Sequence, residues 1–213
     1  MATRRLSPDA RRQQILDAAL DLADAEGFDR LTARDIAGKI GAAPALVHHY
    51  FATMEELITC AFDQFAGALL AQSTTIVDQQ PTLPALCNFV AQQVNVSERD
   101  ARLWMSAWAS SQRRPELAAA VERQMLAQLA LLTGLLSRGQ DEGVFEVADA
   151  HNAAYRILCL LDGAFVQFSM RASLTFGDLT AMVWETVERE VGLRPGMLSA
   201  GAPPAASAVA TPR

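Results

Sequence analysis

Thr32-Ala-Arg-Asp-Ile-Ala-Gly-Lys-Ile-Gly-Ala-Ala-Pro-Ala-Leu-Val-His-His-Tyr-Phe51 sets two apolar helical patterns back to back, with Gly41, Ala42, Ala43 and Pro44 between them. Thr32 caps a short helix through Lys39 that Gly41 stops, and a second runs from about Ala43 to Tyr50 with Pro44 tolerated in its first turn. Two short helices joined by a tight glycine-containing turn match a helix-turn-helix, whose second helix enters the major groove of DNA. Ile36, Ala37, Ile40, Leu46 and Val47 are spaced to pack the pair. Ala43, Pro44 and Ala45 are small enough to lie against base edges and thymine methyls, while His48, His49 and the Tyr50 hydroxyl can donate to phosphates or bases. Thr32 and Arg34, at the start of the first helix, suit another phosphate. Taken singly, adjacent histidines more often coat a helix, and these two point about 100° apart, unsuited to a shared metal. The ordered set is what favours DNA.

Outward from this motif, nearly every segment reads as helix. Ser7 or Asp9 can cap a helix opening near Pro8, with Ile15, Ala19 and Leu22 on one face and Gly27 at its end. Thr53, with Glu56 three residues on, makes a capping box for a fourth helix to about Gln72. Thr82 to about Ser97 and Glu98 to Gln112 read as two more. Pro115 opens a long helix with Leu117, Val121, Met125, Leu129, Leu132 and Leu136 three or four apart, ended by Gly139 and Gly143. Asp149 caps a helix that is apolar nearly all round from Ala153 to Phe168, and Leu179, Val183, Val187 and Val191 form a stripe on the last. No segment alternates as a strand. The expected class is all-α, in three parts. Residues 1–52 hold an N-terminal arm and a DNA-binding head, with the helix-turn-helix at about 32–51. Residues 53–194 form a helical ligand-binding and dimerisation domain, and 195–213 a disordered tail rich in Pro, Gly and Ala.

Length and composition agree: 213 residues at 51% apolar content can bury a large core. A formal charge of −6 argues against general affinity for nucleic acid, yet Arg4, Arg5, Arg11 and Arg12 oppose only Asp9 in the first twelve residues. Arg4 and Arg5 therefore make the arm locally basic. Cys60, Cys87 and Cys159, widely spaced in apolar surroundings, read as buried thiols in a reducing compartment. The most apolar stretch, Ala153 to Met170, is interrupted by Arg156, Asp162, Gly163 and Gln167 and makes a poor membrane span. A soluble, cytoplasmic protein with no metal and no cofactor is expected. Enzymatic function is not: there is no nucleophile elbow or glycine-rich phosphate loop, and two of three histidines sit in the head.

Ile15 to Ala19, Gly27-Phe28, Thr32 with Ile36-Ala37, Gly41, Leu46 to Phe51 and Glu55 to Ile58 together resemble the N-terminal domain of the TetR family of bacterial transcriptional regulators. The resemblance implies a three-helix head, a connecting fourth helix, and a helical C-terminal domain that dimerises and holds a small effector. Members of that family commonly carry a phosphate-touching lysine early in the fourth helix, where this chain has Met54. Arg102-Leu103-Trp104, Trp108-Ala109, Pro115-Glu116-Leu117 and Leu161 to Ala164 are similar to the branch containing the choline-responsive regulator of betaine synthesis.

A helix apolar on all sides needs cover on all sides. Leu160, Gly163 and Ala164, with Leu179, Val183 and Val187, are expected to meet a symmetry mate in a four-helix homodimer interface. Trp104 and Trp108, four apart, are expected with Phe89, Met105, Met125, Phe165 and Phe168 to line an effector cavity. Two tryptophans can hold a quaternary ammonium by cation–π attraction, with Asp162 or Glu122 as counter-charge. Taken singly, each of these residues suits an ordinary core better than a ligand site. The expected function is a homodimeric repressor on a palindromic operator in double-stranded DNA, released by a small-molecule effector. The competing expectation is a helical interaction or ligand-binding protein that has lost sequence-specific DNA binding, suggested by Met54 and an acid-rich head.

Overall fold

The computed structural model describes residues 6–170 and 176–201, with the side chains of 168–170, 176, 178 and 201 outside that description. Among the described residues the chain is all-α, with helices α1 (Pro8–Glu26), α2 (Ala33–Lys39), α3 (Pro44–Tyr50), α4 (Met54–Gln79), α5 (Thr82–Val94), α6 (Glu98–Ser111), α7 (Pro115–Asp141), α8 (Ala150–Met170) and α9 (Phe176–Glu190). Among these residues no helix is long and apolar enough to cross a membrane. The helices form two compact units, residues 1–69 with 98–125, and residues 70–97 with 126–213. Packing thus joins α6 and the start of α7 to the N-terminal helices, a grouping that differs from a boundary at residue 52.

In the first unit the chain ends and starts its helices with nearby polar groups. The Ser7 hydroxyl accepts from Ala10 N at 3.2 Å with Pro8 in the first turn of α1. Gly27 closes α1 at φ +89°, donating to the Ala23 carbonyl, and a Cβ there would stand 3.1 Å from Ser106 Oγ. That hydroxyl accepts the Phe28 amide at 2.8 Å, so α6 holds the turn leading into α2. Arg99 and Arg102 of α6 add ion pairs to Asp21 and Asp24 of α1. The core is made by Phe28, Ile36, Val47, Phe51, Ile58, Phe62, Leu103 and Leu117, all essentially inaccessible to water.

The second unit is built from longer connections. α4 continues seven residues beyond Gln72, its Thr74 and Thr75 hydroxyls turned back onto the Leu70 and Ala71 carbonyls. α7 does not stop at Gly139: the Phe145 ring packs where a Cβ would lie, at 2.0 Å, and Gly143 at φ +70° follows the last turn. Arg138 reaches across to Thr82 Oγ1 and the Val77 carbonyl, both at 3.0 Å. Asp149 caps α8 through the Asn152 backbone amide, and that bond holds its carboxyl below the usual range. Residues 195–201, expected in a disordered tail, are folded. Buried Glu188 accepts from Gly196 N and Leu198 N at 2.8 Å and from Ser199 N at 3.3 Å, and Leu198 is fully buried. One carboxylate in an apolar setting thereby satisfies three backbone donors, which proline and glycine content alone does not reveal.

Candidate functional site

α2 and α3 form the tight pair that the opening stretch encodes. Thr32 Oγ1 accepts from Asp35 N at 3.2 Å and donates to the Asp35 carboxylate at 2.5 Å, fixing the start of α2. Gly41 turns the chain at φ +66°. Val47 is buried at 1% exposure and seats α3 against the core together with Phe51. The helix has seven residues, so anchoring Val47 leaves the other side to solvent: Ala43, Pro44, Ala45, His48 and His49 are exposed. Thr32 and Arg34 are exposed as well, and Arg34 makes no ion pair among the described residues. Tyr50 is half-buried, its ring edge-on to His49 at 5.2 Å. Arg4 and Arg5 lie outside the described residues.

Behind this face, the Arg12 guanidinium sits 4.7 Å over the Phe51 ring and donates to Cys60 Sγ, tying α1 to the junction of α3 and α4. Thr53 Oγ1 caps α4 through Glu56 N at 3.0 Å, while the Glu56 carboxylate turns back to Ala52 N, one residue earlier than a strict capping box. Met54 is half-buried against the core. Lys39, which sequence reasoning passed over, is the exposed cation at the end of α2, paired with Asp21 at 3.3 Å.

The residues expected to bind an effector fall into both units. In the first, Trp104 stands edge-on to Phe62 at 5.2 Å and to Phe65 at 6.1 Å, with Trp108 at 5.8 Å, an aromatic cluster flanking the head's core. Met105 is half-buried and Met125 exposed. In the second, Phe89 is fully buried in the core. Phe165 lines a small cavity of about 30 Å³ with Val94, Leu161, Leu179, Val183 and the polar Gln93 and Thr180. Asp162, half-buried beside it in sequence, has no partner among the described residues, and burial pushes its carboxyl up to about 6. The side chain of Phe168 lies outside the described residues, and Glu122 is exposed. No group of three His, Cys, Asp or Glu among the described residues could hold a metal.

The α8–α9 pair sorts the expected dimer residues in two. Leu160, Ala164 and Leu179 are half-buried and Gly163 is exposed, but Val183 and Val187 are fully buried within their own unit. The side turned to solvent carries Tyr155 at 58% and Met182 at 44% exposure, with Cys159 also exposed. An all-apolar helix and an apolar stripe do not say which side faces the chain's own core, and Val183 and Val187 turn into theirs.

Known proteins match over most of the chain. Residues 82–192 fit the model of the BetI-type transcriptional repressor C-terminal family, and residues 15–59 that of the bacterial regulatory proteins of the tetR family. The HTH-type transcriptional regulator BetI of Escherichia coli strain K12 is 27% identical over 168 residues, 75% of this chain and 83% of that protein. A transcriptional regulator from Saccharomonospora viridis, solved in complex with choline, is similar in fold with a TM-score of 0.78 at 20% identity, over 86% of this chain and 98% of that one. A regulator from Pseudomonas aeruginosa PAO1 gives 0.75 at 21%, over 92% and 96%.

Proposed function

The chain belongs to the TetR family of bacterial regulatory proteins, and from that premise we propose that it is a homodimeric repressor that leaves a palindromic operator when a small effector binds. The observation that carries the reading is the solvent face of α3. Small residues lead, hydrogen-bonding residues close, and the anchoring Val47 points the other way. Ala43, Pro44, Ala45 and His48 face bases, and Thr32, Arg34, His49 and Tyr50 serve the backbone, helped by the arm's Arg4 and Arg5. One head with so few cations binds weakly, and two joined heads raise the effective concentration of the second. In the dimer two copies of α3 lie about 34–36 Å apart in successive major grooves. The copies meet through the outward side of α8 and α9, with Leu160, Gly163, Ala164 and Leu179 nearest the seam.

The effector we propose is a small quaternary ammonium such as choline. A regulator of similar fold was solved with choline bound, and this chain offers Asp162, a carboxylate without a partner among the described residues, next in sequence to Leu161 of the Phe165 cavity. The bound state disfavors the operator-spaced arrangement, and α4, whose residues belong to both units, is the element that passes the change on. The protein works in the cytoplasm without a cofactor and catalyses nothing.

Selection of random duplexes on the purified protein tests the reading. An inverted repeat should emerge, bind less as salt rises, and be released by millimolar choline. Failure to enrich any inverted repeat at low ionic strength would leave the competing reading, a ligand-binding helical protein without DNA specificity.

A further inference from the structure

We infer that DNA binding by this chain is coupled to proton uptake at His48 and His49, so that affinity for the operator rises as the solution turns acid. The inference rests on the reading of α3 as the helix that meets DNA. Pro44-Ala45-Leu46-Val47-His48-His49-Tyr50 contains no lysine or arginine, and both histidines are exposed. Neither imidazole joins an ion pair or hydrogen bond among the described residues; the contact of His49 is the Tyr50 ring edge at 5.2 Å.

The charged groups on the elements packed around α3 are already engaged or exposed elsewhere. On α1, Arg12 lies over Phe51 and Asp21 holds Lys39. On α2, Asp35 is bonded to Thr32, and Arg34 makes no ion pair among the described residues. At the start of α4, Glu55 pairs with Arg114 and Glu56 caps Ala52. No carboxylate among the described residues is bonded to either imidazole, so both rings are free to meet what the helix is laid against.

Imidazole is the side chain whose charge changes between pH 5 and 8. Against a phosphate the imidazolium gains an opposite charge and a second N–H donor, so the complex holds the proton better than the free protein does. Binding then takes up protons, and affinity increases below neutrality. With Arg34 as an exposed permanent cation at the start of α2, two further charges per head weigh heavily.

The test uses the full chain and a duplex obtained by the selection above, titrated at pH 7.8 and 5.8 over a range of potassium chloride. Affinity at the lower pH should be about tenfold higher for each unit by which the complex retains the proton more tightly. The dependence of log affinity on log salt should steepen by about 0.9 for each histidine that neutralises a phosphate. His48→Gln with His49→Gln should flatten both effects, and circular dichroism should show the same helical content. The double variant retains His151 and the terminal amine, so persistence of the pH effect in it overturns the inference, as does a flat wild-type profile. In either case the regulator reading stands. If selection enriches no duplex at either pH, that reading falls and takes the coupling with it.

Discussion

The two units solve the same problem, stopping and steering helices, with groups drawn from different distances. In the first, Thr32 serves Asp35, Ser7 serves Ala10 and Thr53 serves Glu56, each three residues away. In the second, Arg138 reaches carbonyls near the end of α4 and Thr82, 56 to 61 positions back, and Glu188 collects amides eight to eleven positions ahead. Local groups write their role into neighbouring sequence. Distant ones write it only into the folded chain, and the following substitutions probe that contrast.

The largest effect should come from Phe62→Ala. Phe62 is fully buried and stands edge-on to Phe28 at 6.3 Å, Phe65 at 6.4 Å and Trp104 at 5.2 Å, so truncation leaves a cavity no neighbour can fill. The expected loss is about 3–5 kcal/mol in urea unfolding followed by tryptophan fluorescence. A loss below about 1 kcal/mol would mean that the first unit is not held by this aromatic cluster.

Glu188→Ala should cost about 2–4 kcal/mol, because three backbone amides lose their acceptor in a buried place. Glu188→Gln keeps one acceptor oxygen and should cost less. Hydrogen exchange at Gly196 and Leu198 is the direct measure: unchanged protection in the alanine variant would break the comparison, because the segment would then be held by the buried Leu198 alone.

That result bears on what was legible. The helix-turn-helix was readable to within a residue, since Thr32, Gly41, Pro44 and the Thr53–Glu56 box each state a backbone requirement on the spot. The far end of α4 was not, because Ser73, Thr74 and Thr75 look like loop residues until Ser73 donates to Gln92 of α5 and the two threonine hydroxyls fold back on the helix. The inward turn of Val183 and Val187 was hidden for another reason: apolar spacing gives a face but not its partner. The four-residue spacing puts Trp104 and Trp108 on one helix face, and their rings stand 5.8 Å apart. That they meet Phe62 and Phe65 of α4 is a tertiary fact with no signature in their spacing.

Asp162→Asn should act in the opposite direction from the first two. Burial raises the folded carboxyl to about 6, well above the usual aspartate range, so the native chain holds this proton more tightly than the unfolded one. Wild-type stability should therefore be higher below about pH 4, decline as pH climbs to 6, and carry a constant penalty above that. Asparagine removes the penalty. The gain at pH 8 should be about 1–2 kcal/mol, reduced from the full shift because the group is only partly buried, and it should vanish near pH 4. Choline binding, if it uses this carboxylate, should weaken in the same variant.

The smallest effect separates two roles of one residue. Thr32→Ala removes the acceptor for Asp35 N and should cost about 1 kcal/mol, read as a fall in thermal midpoint, while Thr32→Asn restores a capping oxygen and most of that loss. The threonine hydroxyl proton is already given to the Asp35 carboxylate, so what it offers DNA is chiefly the position of α2 and, through it, of α3. Operator affinity should then follow stability, weakened in the alanine variant and recovered in the asparagine one. Equal weakening in both would mean instead that the hydroxyl itself reaches a phosphate, and that even the most legible cap in the sequence serves the fold and the ligand at once.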